Sequence, residues 1–178
     1  MKTLAETFAQ YPDSDKGSLH SYLEVYEKLF ELKRLQVTAL LEVGVRYGGS
    51  LRAWADYFPN ARIYGIDDGS EDGIWRPDRA KIEILVADTT RPQMMADVLN
   101  RFGRGYFDII IDDGLHRSWA QAATYGTLRP YLASDGCYVI EDIEHYEEAL
   151  KMQAIFGGTL EDRRAVKGRH DDILLYFT

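Results

Sequence analysis

Cysteine occurs only once in this chain, at Cys137. One thiol cannot close an internal disulfide, so the small, disulfide-stapled secreted scaffolds are excluded. Cys137 sits in the apolar run that ends at Glu141 and reads as a small buried hydrophobe, which fits a reducing, cytoplasmic setting. Positive charge is also scarce: 21 Lys and Arg face 29 Asp and Glu, for a net charge of -8. That field repels phosphate backbones and anionic lipid, so neither a nucleic acid nor a membrane surface is expected as a partner. No apolar run approaches the roughly 20 residues of a membrane-spanning helix, and the opening MKTLAETFAQ has no signal-type apolar core. Repeats, low-complexity tracts and linker-like shifts in composition are missing too. What remains, 178 residues with 46% hydrophobic and 28% charged, suits one domain, divided into an N-terminal helical segment over 1–36 and a core over 37–178.

Along the chain, helical and strand patterns alternate. Leu19, Tyr22, Leu23, Tyr26, Leu29, Phe30 and Leu32 recur at helical spacing and predict an amphipathic helix over Ser14 to Leu35. Ala39 to Val43 is a short apolar run, followed by a glycine turn at Gly48 and Gly49 and a second helical pattern from Leu51 to Phe58. Further strands are expected at Ala61–Asp67, Lys81–Asp88, Phe107–Asp112 and Gly136–Glu141, with helices at Arg91–Phe102, Ser118–Leu132 and Glu147–Phe156. Arg163–Val166 and Asp171–Phe177 read as closing strands. Strand and helix in strict alternation imply a parallel, doubly wound α/β sheet with right-handed crossovers.

The chemistry gathers at the strand ends, where open parallel sheets bind their ligands. FDIIIDDGLH (107–116) and YVIED (138–142) each stop abruptly in carboxylates. If the two strands are neighbours, Asp112, Asp113, Glu141 and Asp142 converge, with His116 one turn beyond. Carboxylates that close repel unless a cation or shared protons hold them, which points to a hard divalent metal. The turn after the first strand, LLEVGVRYGGSL, is not the G-x-G-x-x-G of a dinucleotide site. Glu42 before it would repel phosphates and suit an amino group, while Gly44 and Gly48 would let backbone approach a ligand. Asp67, ending the second strand, is placed to accept two ribose hydroxyls, and Asp88, ending the third, an adenine amino group. Singly, each is an ordinary strand-end acid; together they describe a nucleoside-type site. His170 reads as surface, His145 as a neighbour of the acid pair, and Tyr22, Tyr26, Trp54 and Phe58 as core.

These motifs carry a resemblance. The run Glu42–Leu51, Asp67 and VAD (86–88) resemble the S-adenosylmethionine site of class I methyltransferases. SDKGSLHSYLEVYEKLF (14–30), LLEVGVRYGGSLRAWADYFPNARIYGID (40–67), IDDGLH (111–116) and VIED (139–142) resemble, more narrowly, the metal-dependent sugar O-methyltransferases of the mycinamicin and tetracenomycin type. The resemblance implies the class I architecture, a Rossmann-like, mostly parallel sheet with a C-terminal antiparallel strand. It implies a magnesium ion on Asp113, Glu141 and Asp142, with His116 as general base. The cofactor falls to Lys16, Glu42, Gly44, Gly48, Ser50, Asp67, Asp88 and Asp112, with Lys16 near its methionine end and His20 within reach of the site. Leu115 departs from the serine usual in that family. The sequence also has no counterpart of an N-terminal domain that some relatives carry, so their lid and oligomer arrangement are not carried over, and a homo-oligomer stays open.

The implied function is Mg²⁺-dependent transfer of a methyl group from S-adenosylmethionine to a hydroxyl of a small molecule, a natural-product sugar above all. Magnesium wants about six oxygens, so three carboxylates leave room for two neighbouring substrate hydroxyls. Chelation lowers a hydroxyl pKa, and an imidazole with an ordinary pKa of about 6.5 can take the proton. Two alternatives stand beside this reading: a nicotinamide-dependent oxidoreductase, which the missing G-x-G-x-x-G disfavours, and a non-catalytic S-adenosylmethionine-binding protein. Loops Gly69–Asp78 and Phe156–Arg169 are expected to shape the acceptor pocket.

Overall fold

The structure, a computed structural model, describes residues 1–70, 75–102 and 105–178. Among the described residues, seven strands form one sheet: β1 (Ala39–Val43), β2 (Arg62–Asp67), β3 (Ile82–Val86), β4 (Phe107–Asp112), β5 (Leu132–Ile140), β6 (Thr159–Asp162) and β7 (Ile173–Phe177). Their order is β3-β2-β1-β4-β5-β7-β6. The first five are parallel, while β7 runs antiparallel to both β5 and β6. This is the doubly wound α/β sheet with an antiparallel C-terminal strand. Winding reverses at β1, which has β2 on one side and β4 on the other. A crevice therefore opens beyond the carboxyl ends of β1 and β4, because the helices that follow these strands leave on opposite sides.

Helices α1 (Leu4–Phe8), α2 (Leu23–Phe30) and α3 (Gly49–Tyr57) lie on one face, and α4 (Pro92–Arg101), α5 (Ser118–Leu128) and α6 (Tyr146–Phe156) lie on the other. The period of two along a strand sorts β1 between them. Leu40 joins Tyr26, Phe30, Trp54 and Phe58, while Ala39, Leu41 and Val43 join Met95, Leu99 and Leu128. Tyr26, Phe30, Trp54 and Phe58 are an aromatic stack in which Trp54 meets Tyr26 edge-on at 5.3 Å. They are core, as their spacing suggests. Among the described residues, no helix is long and apolar enough to cross a membrane.

Two segments differ from the sequence reading. Ser14–Leu35 is not one helix: α2 covers only Leu23–Phe30, a 3-10 turn follows at Glu31–Lys33, and 14–22 is a series of turns. The reason is visible in burial, since His20, Ser21 and Tyr22 are all buried. Three consecutive inward side chains cannot lie on one stripe of a surface helix. The strand expected at Arg163–Val166 is a helical turn, α7 (Arg164–Lys167), and the edge strand is β6 instead. Gly157 and Gly158 take positive φ after α6, which folds the chain back in time for Thr159 to pair with Tyr176.

Burial also pushes the Cys137 thiol up to about 12. Only the thiolate attacks a disulfide reagent, so the native protein at pH 8 should leave such a reagent almost untouched and react fully once unfolded in urea. Rapid, stoichiometric reaction of native protein would contradict this placement.

Candidate active site

At the carboxyl ends of the parallel strands lies a cleft of about 510 Å³. Gly44, Ser50, Asp67 and Asp88 line one part of it, and Asp113 and His116 another. Asp67 braces the turn after β1: its Oδ2 accepts from the Val45 N–H at 2.8 Å and the Arg46 N–H at 3.2 Å, and its Oδ1 from the Gly69 N–H at 2.8 Å. A carboxylate has about four acceptor positions, so three backbone donors leave capacity for a hydroxyl. Asp88 Oδ1 accepts from the Thr90 N–H at 3.0 Å and hydroxyl at 2.5 Å, while Arg91 Nε stands 3.0 Å from its Oδ2.

The glycines make room for the protein itself. A Cβ on Gly44, whose φ is +86°, would sit 2.0 Å from the Asp113 carbonyl oxygen, and one on Gly48 would strike the Trp75 ring at 2.2 Å. Gly44 thus lets the β1 turn and the β4 loop touch at the switch point, a contact no L side chain allows. Gly44 also lines the cleft, whereas Gly48 does not.

Beside the cleft is a buried acid cluster, built by strand alternation. Glu42 follows Leu40 on the α1–α3 face, and Glu141 follows Cys137 and Val139 there. Asp112 follows Ile110 on the opposite face, which divides it from Asp113. Asp142 would alternate away from Glu141, but its φ of +53° takes it out of the strand path. A non-glycine residue in that region is strained by about 1 kcal/mol or more, and such strain gathers at functional sites.

One cation holds the cluster. Lys16, 1% exposed, places Nζ 2.6 Å from Asp113 Oδ2, 2.6 Å from Glu141 Oε2 and 3.1 Å from Glu42 Oε1. Tyr26 donates to Glu141 Oε1 and Tyr22 to Asp142 Oδ1. His20 Nδ1 lies 3.2 Å from Asp142 and 3.4 Å from Asp172. One ammonium cannot offset three carboxylates, and the ionisations show it. Burial favours neutral Lys16, but Asp113, Glu141 and Glu42 outweigh it and hold the ammonium charged. Burial likewise works against the Asp113 anion, yet Lys16 and His116 keep it well below the usual carboxylate range. Elsewhere burial prevails: Glu42 is raised to about 7, Glu141 well above its ordinary value, and Asp142 to about 6 with the Asp113 charge adding to the effect. Asp112, also desolvated, rises to about 7. Protons or a further cation must compensate the surplus negative charge.

His116 completes the geometry. Its Nε2 is 3.2 Å from Asp113 Oδ1 and 3.6 Å from Asp142 Oδ2. Burial lowers its pKa, but the hydrogen bond to Asp113 and the charges of Asp113 and Asp142 push it up to about 9. Asp113, His116 and Asp142 each offer a ligand atom, all within 4.8 Å of one another. The two carboxylates of this group fit a hard divalent cation, which would take over from the imidazolium as the balancing charge and leave the imidazole free to accept a proton.

The sequence-predicted residues therefore fall into three places. Gly44, Ser50, Asp67, Asp88, Asp113 and His116 line the cleft. Lys16, Glu42, Glu141 and Asp142 make up the buried cluster behind it. Asp112 is set apart on the other face, its Oδ1 accepting from the Gly114 N–H at 3.3 Å and its Oδ2 without a partner among the described residues. Lys16, expected near the methionine end of a cofactor, is enclosed by three acids, Glu42, Asp113 and Glu141. Of the two loops expected to shape the pocket, 71–74 lie outside the described residues, and none of 156–169 lines the cleft, because β6 is at the far sheet edge.

Three contributors went unread in the sequence. Tyr22 and Tyr26 pass for core from their spacing, and only their hydroxyl contacts to the acids reveal more. Asp172 is fully buried, accepting from the Ser21 N–H at 3.1 Å and hydroxyl at 2.6 Å. The signal for it was available: β7 is antiparallel, so its N-terminal end, with Asp171 and Asp172 before it, meets the carboxyl ends of the parallel strands.

The model of the methyltransferase domain family matches residues 41–143, more than half of the chain. The chain belongs to that family. The methyltransferase domain is 34% identical over 138 residues to the 8-demethyl-8-alpha-L-rhamnosyl tetracenomycin-C 2'-O-methyltransferase of Streptomyces olivaceus, covering 74% of this chain and 35% of that protein. Over 147 residues it is 32% identical to the mycinamicin VI 2''-O-methyltransferase of Micromonospora griseorubida, covering 79% and 36%. Among solved structures it is similar to the MycE methyltransferase from the mycinamycin biosynthetic pathway in complex with Mg and SAH, with a TM-score of 0.68, 33% identity, and coverage of 79% of this chain and 39% of that one. The methyltransferase domain thus spans about a third of the length of the curated relatives it matches. Nothing in these matches supports a nicotinamide-dependent oxidoreductase.

Proposed function

We propose that this methyltransferase domain transfers the methyl group of S-adenosylmethionine to a hydroxyl of a sugar-bearing small molecule, with Mg²⁺ as its supporting cation. The observation that carries the reading is the grouping of Asp113, His116 and Asp142 where the β4 loop meets the cleft. The relatives named above are sugar O-methyltransferases, and MycE is described with Mg and SAH. When bound, the cation lowers the pKa of a hydroxyl it chelates and the cofactor supplies an electrophilic methyl group.

The chain's own residues do the rest. Gly44, Ser50, Asp67 and Asp88 hold the nucleoside end of the cofactor along one wall. Asp113 and Asp142 would supply carboxylates for the cation, while Glu141, its oxygens taken by Lys16 and Tyr26, would hold Lys16 in place as their counterion. His116 Nε2, held by Asp113, receives the hydroxyl proton as general base. Catalysis then rests on alignment and charge stabilisation. A cytoplasmic site of action goes with the buried, unpaired thiol of Cys137. The acid surplus supports a small neutral acceptor over nucleic acid.

The test is direct. Methyl transfer from labelled S-adenosylmethionine to a rhamnoside should disappear when EDTA is added and return with excess Mg²⁺. Full activity in EDTA would remove the metal from the reading, while binding of SAH measured by calorimetry would still report on the cofactor site.

A further inference from the structure

Lys16 and the candidate cation site share one carboxylate and divide the others between them. Asp113 is the shared group: its Oδ2 meets Lys16 Nζ at 2.6 Å, and its Oδ1 faces His116 Nε2 at 3.2 Å. Asp142 turns Oδ2 to the His116 side, at 3.6 Å, while its Oδ1 accepts from Tyr22. Both Glu141 oxygens are engaged elsewhere, Oε2 with Lys16 Nζ at 2.6 Å and Oε1 with the Tyr26 hydroxyl. Lys16, Glu42 and Glu141 do not line the cleft, whereas Asp113 and His116 do. A side chain free to swing could yield its place to a metal ion, but Lys16 is pinned on both sides. The Asp15 carbonyl accepts from the Ser18, Leu19 and His20 N–H groups, and the Lys16 carbonyl from the Tyr22 N–H at 3.2 Å. From α7, Lys167 Nζ donates to the carbonyls of Gly17, Ser18 and His20 at 2.6, 2.8 and 2.7 Å. The turn that carries Lys16 is thus clamped by a segment 150 residues away in the chain.

We infer that Lys16 is a built-in counterion that holds Glu141 and Glu42 away from the bound cation and confines it to Asp113 and Asp142, so that the cation is held loosely and keeps its charge for a substrate hydroxyl. Magnesium is commonly carried by one or two carboxylates and keeps its remaining positions for water and substrate. Two carboxylates bring a divalent ion to neutrality; a third would leave the site negative and oppose an alkoxide beside it. The ammonium of Lys16 removes that third carboxylate by pairing with it, and its own positive charge lowers the affinity of the site for any cation. The inference rests on the proposed cation for its ligand, but it makes a separate claim about which carboxylates hold that ion.

The experiment titrates the full chain with Mn²⁺ at pH 7.5, free Mn²⁺ being counted by its EPR signal, and obtains the Kd of Mg²⁺ by competition. Asp142→Asn is a mild change in shape, because asparagine tolerates the left-handed backbone that Asp142 adopts. It should weaken binding about tenfold or more, whereas Glu141→Gln should change it less than about threefold. Lys16→Met should tighten binding about tenfold, and Lys16→Gln should act in the same direction. Plain loss of structure would weaken the metal's hold, so tightening in a less stable variant is a readout that a merely structural lysine would not give. In turnover, Lys16→Met should need less Mg²⁺ for half-maximal rate and have a lower kcat. An equal loss of affinity in Glu141→Gln and Asp142→Asn would overturn the inference and leave the metal in the proposed function, and this comparison is independent of both Lys16 variants. Unchanged or weaker binding in folded Lys16→Met and Lys16→Gln would overturn it as well. Binding in Lys16→Met but none in wild type would support Lys16 as the resident cation and remove Mg²⁺ from the proposed function. Absence of binding in wild type and variants alike would overturn both.

Discussion

Replacing His116 by alanine is expected to lower kcat for methyl transfer by about 10²–10⁴-fold, the usual contribution of a positioned general base, while SAH binding stays unchanged. The imidazole is the titratable group that both lines the cleft and touches two candidate cation ligands. Its state depends on those neighbours. With Asp113 and Asp142 anionic and no divalent cation present, the ring is held protonated up to about 9 and cannot accept a proton at neutral pH. A divalent cation on the same carboxylates opposes the imidazolium, so the His116 pKa must fall when it binds. The sign of the pH dependence follows: a base works after losing its proton, so the rate rises with pH through the His116 pKa. NMR titration of the four histidines should find one near 9 without metal and move it downward with Mg²⁺. His116→Ala should remove that resonance and the ascending limb together. An unaltered kcat in the variant would show that His116 is not the general base.

Much of this site could be read before any coordinate was known, and the reasons are local. Strands that end in acids declare themselves, because a buried run of Ile and Val has no cause to stop in Asp-Asp or Glu-Asp unless its end faces a site. Asp113, His116 and Asp142 were legible on those grounds, as were the parallel strands and the crevice at β1. The partner of the acids was harder to see. Lys16 lies 97 residues before Asp113 and 125 before Glu141 in sequence, so no short-range pattern links it to them. The same distance hid Asp172, which follows the cluster by way of an antiparallel strand. The N-terminal segment misled for a related reason. Leu19, Tyr22 and Tyr26 keep a helical period, yet His20, Ser21 and Tyr22 turn together toward polar partners that lie elsewhere in the chain. Local periodicity records apolar burial and cannot register a polar interior built by the sheet.

That polar interior makes Lys16 the residue with the largest expected effect on stability. Lys16→Met keeps the length of the side chain and removes the ammonium, leaving Asp113, Glu141 and Glu42 close together with no cation between them. Deleting one partner of a buried ionic group costs about 3–5 kcal/mol, because the remaining charges stay desolvated. For a domain of this size the melting temperature should fall by on the order of 10 °C. The contribution of Asp113 to the pH dependence should change sign as well, joining those of Glu42 and Glu141, which are already raised in the native protein. In the native protein the Asp113 pKa is depressed, so its contribution is present above the unfolded value, about 3.9, and is lost as pH falls toward the folded one. Without Lys16 the three acids have raised folded pKa values, and each stabilises the fold only while protonated, losing that contribution as pH rises from about 4 through the folded value. Urea unfolding at pH 5 and pH 7.5 separates the cases: K16M should be closest to wild type at pH 5 and fall furthest behind at pH 7.5. Mg²⁺ should recover part of the loss by supplying the missing positive charge to the same carboxylates. A loss below about 1 kcal/mol at pH 7.5, the range of an exposed pair, would show that Lys16 does not hold the cluster together.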